Sequence, residues 1–126
     1  MTSDLASIGA SAYALVTTYR KDGRAVPTPV WVVRDGDALA IWTARDAGKV
    51  KRVRRDGTVL VGPCDFRGRP TGEQVPGQAS ILDSAGTERV RGLLRRKYGL
   101  SGRLTLWGSR LRRGLDGTVA IRIALS

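Results

Sequence analysis

The residues best placed to do chemistry are the cations Lys49, Lys51 and Arg52. They open a short basic segment, Ala47-Gly-Lys-Val-Lys-Arg-Val-Arg-Arg55, directly after an apolar hairpin formed by Val26 to Trp31 and Ala40 to Thr43. Lysine and arginine match oxyanions in charge and donor geometry, and the free N–H groups at a helix start add to the attraction. A flat hydrophobic wall ending in clustered cations suits a ligand with a planar ring at one end and phosphate or carboxylates at the other. The same pattern also describes a solvated basic helix packed on a core hairpin, and the residues alone leave both readings open.

Several reaction classes are excluded by composition. There is no histidine, which removes Ser-His-Asp and Cys-His catalysis, imidazole metal ligands and imidazole acid–base chemistry. Cys64 is the single cysteine, so neither an internal disulfide nor a cysteine-based zinc site can form. No metal site is expected. Of 11 acidic residues, Asp4, Asp22, Asp35, Asp37, Asp46, Asp56 and Asp116 stand beside glycine or polar residues, where they form turns and helix caps. No catalytic residue can be named, and any reactive chemistry has to come from a cofactor.

The formal net charge is +11 and unevenly spread. Arg45 to Arg55 holds six cations against Asp46, Arg89 to Lys97 holds five with no acid, and Arg103 to Arg113 holds four. Such a balance implies an anionic partner, whether nucleic acid, a membrane surface or a polyanionic small molecule. At 126 residues the chain is expected to form one domain, residues 1–126, with a core too small to enclose a whole cofactor. A site shared between two copies follows. No run of about eighteen apolar residues and no signal-like N-terminus is present, so membrane insertion is not expected and the cytoplasm is.

The elements that must position these residues are mainly strands. The pattern predicts strands over Ala12 to Tyr19, Val26 to Val33, Ala38 to Thr43, Thr58 to Gly62, Glu73 to Leu82 and a last one in which Val119, Ile121, Ile123 and Leu125 alternate with Thr118, Ala120, Arg122 and Ala124. Turns fall at Arg20 to Gly23 and Arg34 to Asp37, each with an Asp-Gly pair that signals a hairpin. Pro27 and Pro29 suit an edge, a bulge or a ligand-facing stretch. Pro63 to Gly72 reads as a loop, and a bend is expected at Pro76-Gly77. A helix begins at Asp83 or Ser84, carries Val90, Leu93, Leu94 and Tyr98 at helical spacing and stops at Gly99. A second helix or turn is expected near Leu104, Trp107 and Leu111. Six mostly hairpin-linked strands with inserted helices point to a small antiparallel barrel; no glycine-rich dinucleotide fingerprint supports a doubly wound sheet.

Laid out in this order, the motifs resemble the pyridoxamine-phosphate-oxidase-like split barrels, and within them the actinobacterial flavin/deazaflavin oxidoreductases that use coenzyme F420. The matching residues are Thr18-Tyr-Arg-Lys-Asp-Gly23, Pro27-Thr-Pro-Val-Trp31, Asp35-Gly36, Ile41-Trp-Thr43, Gly48-Lys-Val-Lys-Arg52, Gly62-Pro-Cys-Asp65, Arg67-Gly68 and Val75-Pro-Gly-Gln-Ala79. Arg89 to Gly99 also fits.

The resemblance implies a six-stranded antiparallel split β-barrel of the FMN-binding type. It further implies a homodimer with cofactor at the subunit interface, and a reductase that moves a hydride between deazaflavin F420 and a small conjugated or unsaturated substrate. Quinones, enoates, bilin-like tetrapyrroles and aromatic nitro compounds are all compatible. By this resemblance Lys49 holds the cofactor phosphate, with Lys51 and Arg52 as partners for phosphate or an acidic tail. Pro29, Val30 and Trp31 lie along the ring, Thr43 touches phosphate, and Gln74 sits where flavin-binding relatives use a glutamine. FMN is the alternative cofactor, a non-catalytic flavin or deazaflavin carrier the alternative role, and a basic nucleic-acid-binding barrel a third. Against the third, Trp and Tyr are not interleaved with the cations as stacking platforms. The chain departs from true pyridoxamine-phosphate oxidases in lacking their arginine–histidine substrate pair, so vitamin B6 oxidation is not expected. The excess cations from Lys49 to Arg55 suit the longer anionic tail of the deazaflavin better than a single phosphate.

Overall fold

In the computed structural model, which describes residues 2–99 and 117–126, alternating apolar residues build one curled antiparallel sheet. The elements run α1 (Thr2–Ala10), β1 (Tyr13–Tyr19), β2 (Ala25–Val30), β3 (Val32–Asp35), β4 (Ala38–Ala44), α2 (Gly48–Arg55), β5 (Thr58–Cys64), β6 (Val75–Ile81), α3 (Ser84–Tyr98) and β7 (Thr118–Leu125). Strand order is β2-β1-β5-β6-β7-β4-β3. Consecutive strands β2 and β3 therefore stand at the two ends of the sheet, and the single residue Trp31 between them carries the chain from one edge to the other. This is how a split barrel closes: the first half of a broken strand pairs with β1, the second with β4.

That break corrects the six-strand expectation. Val26 to Val33 reads as one strand by periodicity, yet its halves have different partners, so the described residues form seven strands. The edge position of β2 accounts for its prolines, since Pro27 and Pro29 face β1 on one side only. Both Asp-Gly turns form, with Gly23 at φ 87° and Gly36 at φ 63°, values an L side chain adopts only under strain.

The inward faces of the strands supply the core. Ala14, Val16, Val32, Leu39, Ile41, Val59, Val61, Ile121 and Ile123 pack together, and α2 adds Val50 and Val53. The α1 helix, absent from the sequence-based expectations, inserts Leu5 and Ile8 into the same cluster. On the outer face, α3 covers Val33, Ala40 and Ala120 with Val90, Leu94 and Tyr98. The final strand is thus buried on its Ala120 side as well as its Ile121 side, where a single buried face was expected. Asp83 caps α3, its carboxylate accepting from the Gly86 amide at 2.8 Å. The β5 strand extends through Cys64, beyond Gly62, and its ladder with β6 passes through Pro76 and Gly77 without interruption. The segment expected near Leu104, Trp107 and Leu111 lies outside the described residues. Among the described residues no helix is long and apolar enough to cross a membrane.

Candidate functional site

The structure sorts the sequence-derived candidates into two groups. The first gathers where α2 enters the barrel. Ala47 offers no side-chain cap, and the first turn of α2 has no acid, so the helix start keeps its positive end exposed. Half-buried Lys49 donates from Nζ to Thr43 Oγ1 on β4 at 3.3 Å, and Arg52 donates from Nε to Thr18 Oγ1 on β1 at 2.6 Å. The two cations therefore span the split between β4 and β1. The Arg52 guanidinium folds back over the first turn, so that a Cβ at Gly48 would lie 2.8 Å from Nη1. Lys51 stays exposed on the same helix, and Arg55 reaches the Tyr19 carbonyl.

Electrostatics set this group apart from an ordinary surface. Among the described residues none of Lys49, Lys51 or Arg52 is in an ion pair, whereas Arg24, Arg69, Arg89, Arg91 and Arg122 all have acid partners. Burial, with the charge of Arg52 added to it, pulls the Lys49 ammonium below its ordinary pKa. Arg52 is pulled down in turn by burial and by Arg20 and Arg55. Like charges held together without an acid make a place where an anion is favoured.

The second group lies on the outer face of the β2-β1-β5 ladder. Pro29 pairs with Leu15, and Leu15 with Gly62. The Gln74 amide rests directly on Gly62, where a Cβ would collide with Gln74 Nε2 and lie 2.5 Å from the Glu73 carbonyl. Gln74 Oε1 is buried and has no hydrogen-bond partner among the described residues. Gly68, in the loop after β5, lies against Pro29 and Leu15.

The wall residues differ among themselves. Val30 packs toward the main core, so it can offer a ligand only its backbone. Trp31 stacks on Tyr98, with ring centroids 4.4 Å apart and planes 8° from parallel. A ring ligand could meet this indole only from its other face or its edge. Both Trp31 and Trp42 pack beside the cluster under α3.

Sequence reading missed Thr18 and Tyr98. No spacing rule connects Thr18 to Arg52, 34 residues away, and Tyr98 looked like one more apolar position of a helix. The acids behave as turn formers: Asp22 accepts from the Arg24 amide, Asp56 from that of Thr58, and Asp65 from those of Arg67 and Arg69. Burial pushes the Cys64 thiol up, which makes it a poor nucleophile. Among the described residues no group of three potential ligands could hold a metal ion.

A phosphorylated ring cofactor fits what is present. The acid-free cations at an uncapped helix start suit a phosphate, and the orphaned Gln74 acceptor over Gly62 suits a ring N–H.

No protein-family model and no curated protein matches the sequence. Solved structures do match. An F420 reductase aligns with a TM-score of 0.61 at 15% identity, covering 96% of this chain and 91% of the other. A FAD-binding protein from Mesorhizobium loti gives 0.65 at 17% identity, over 99% and 88% of the two chains. A protein from Listeria innocua, provisionally assigned as a pyridoxamine 5'-phosphate oxidase, gives 0.67 at 18% identity, over 99% and 92%. At these identities the likeness is one of fold. The sheet order and the strand broken at Trp31 agree with it, and the chain has the split β-barrel fold of the pyridoxamine 5'-phosphate oxidase-like proteins.

Proposed function

We propose that this protein is an F420-dependent oxidoreductase that passes a hydride to a small conjugated or unsaturated substrate. The observation that carries the reading is the acid-free cluster of Lys49 and Arg52 at the uncapped start of α2, with Lys51 and Arg55 extending it. One phosphate would occupy Lys49 and the helix start; a longer anionic tail would use the remaining cations. Bound F420 would supply the hydride. Lys49 and Arg52 would fix the anionic end, Pro29 and Trp31 would give the ring an apolar wall, and Gln74 Oε1 would accept from a ring N–H. Thr43 would hold the Lys49 ammonium in place.

Fluorescence titration with F420 and with FMN at equal ionic strength tests the reading. Saturable binding with F420 the tighter ligand is expected; saturation by FMN alone would replace F420 with a flavin. Binding is also expected to take up protons in the alkaline range. The free Lys49 is held below its ordinary pKa by burial and Arg52, and an incoming anion raises it again. Affinity therefore falls as pH rises through the free group's pKa. Calorimetry in buffers of different ionisation enthalpy reads this uptake directly, and no buffer dependence would mean that Lys49 does not meet the anion.

The site needs a second wall, which we assign to a second copy of the chain. The α3 helix covers the outer face only over β3, β4 and β7, leaving Pro27 and Pro76 exposed and Leu60 half-buried on the other half. Phe66, 65% exposed, stands beside that half on the loop after β5. Light scattering at micromolar concentration with cofactor present should give the mass of a dimer. A monomer would remove the shared site.

A further inference from the structure

The last two residues of α3 form a clamp that the cofactor contacts do not use. Lys97 donates from Nζ to three backbone carbonyls: Gly9 at 2.8 Å, Ser11 at 2.6 Å and Val32 at 2.7 Å. Tyr98 accepts from the Val32 amide at 3.0 Å, and its own proton lies within reach of the Ala12 and Val32 carbonyls at 2.7 and 3.0 Å. The same ring stacks on Trp31. Two neighbouring side chains thus collect the end of α1, the link into β1, and both polar groups of the residue that follows the strand break.

Val32 opens an edge strand, so among the described residues no strand answers its amide and carbonyl on the open side. Lys97 and Tyr98 answer them instead. The arrangement is costly, because Lys97 is a half-buried cation with no acid partner among the described residues, and burial pulls it to about 8. A neutral side chain could cover the same spot, but none has the three donors with which the ammonium meets three carbonyls at one point. At the break, the hydrogen bonds of this pair therefore add to the stack of Tyr98 on Trp31.

We propose that Lys97 and Tyr98 are positioning residues for the cofactor ring. They fix the angle at which the chain turns from β2 into β3 and hold the Trp31 indole, so the Pro29–Trp31 wall has its shape before the ring arrives. This rests on the cofactor reading above. Preorganisation of this kind raises affinity by removing the cost of ordering the wall on binding. It acts on the ring end alone. The phosphate end is anchored on Thr43 and Thr18, whereas the hydrogen bonds of the clamp go to Gly9, Ser11, Ala12 and Val32.

That separation gives the test. Two probes read the two ends of the site: the deazaflavin chromophore with its ribityl chain but no phosphate, and inorganic phosphate. Tyr98→Phe keeps the stack on Trp31 and removes the hydroxyl; Lys97→Met removes the cation; Lys97→Arg restores charge and donors. At a temperature where circular dichroism shows each variant folded, Tyr98→Phe and Lys97→Met should bind the chromophore about tenfold more weakly, the scale of one lost buried hydrogen bond. Their phosphate affinity, by phosphorus NMR, should match the parent, and Lys97→Arg should recover part of the loss. Lys49→Ala should show the reverse pattern. If Lys97→Met does not fold, Tyr98→Phe decides. Chromophore binding by Tyr98→Phe equal to the parent, or an equal loss of both probes, would overturn the positioning role. A parent that binds neither probe would instead remove the cofactor reading, and this inference with it.

Discussion

Ile121→Asp is expected to unfold the protein at moderate temperature. Ile121 is 1% exposed, lies between Ile41 and Ile81 in the ladders of β7, and belongs to the main core. A carboxylate there would lose its water and gain no partner, at a cost of more than about 4 kcal/mol. The total stability of a domain of this size is about 5–15 kcal/mol, so little or none would remain. The control is Arg122→Asp on the opposite face. Arg122 pairs with Asp37, whose side chain is 92% exposed, and losing such a pair costs about 1 kcal/mol or less. Ala120 is no substitute for this control, because α3 buries it completely. Chemical denaturation of the two variants should separate them by several kcal/mol. Equal midpoints would mean that the register of β7 is wrong.

Lys49→Ala is expected to cost the most binding. On the proposed reading it would remove one charge-assisted contact to a cofactor phosphate and leave the fold intact, since Lys49 is half-buried and its one hydrogen bond among the described residues is to Thr43. A hydrogen bond to a charged group contributes roughly 1.5–3 kcal/mol, which is about one to two orders of magnitude in affinity. Lys51→Ala should cost less, because Lys51 is exposed and its neighbours share the anion. Arg52→Ala should fall between them, since it also releases Thr18. Lys49→Arg should keep part of the affinity while misplacing the phosphate. These variants are to be titrated by cofactor fluorescence with circular dichroism as the folding control. Parent-like binding by Lys49→Ala would place the phosphate elsewhere.

Local signals were legible in the sequence wherever one segment decided its own structure. The alternation of Val119, Ile121 and Ile123 gave β7 its inward face, the Asp-Gly pairs gave the two turns with positive φ, and Asp83 gave the start of α3. Features set by distant partners were not legible. The change of ladder at Trp31 leaves no mark on the alternation of Val26 to Val33, because side chains keep their period of two while the neighbouring strand changes. Ala120 looked outward until α3 came to lie on it. The α1 helix was missed because, among its described side chains, only Leu5 and Ile8 are buried, too few to show a helical period. At the site, the clustering of Lys49 and Arg52 could be read from their spacing on one short helix. Their anchors, Thr43 and Thr18, come from different strands, and only the closed sheet brings them near. Lys97 stood in a run of cations that pointed to an anionic partner, yet its ammonium turns inward to three carbonyls.

Hydride transfer, the proposed activity, can be read from the oxidation of the bound cofactor. Protein with chemically reduced F420 is mixed anaerobically with a quinone such as menadione or with an enoate, and the return of the oxidised cofactor's absorbance is followed. The expected result is acceptor-dependent oxidation that scales with protein concentration and falls with Lys49→Ala. Tight binding of reduced F420 with no acceptor-dependent oxidation across quinones, enoates and nitroaromatics would contradict the enzyme reading and leave a carrier in its place.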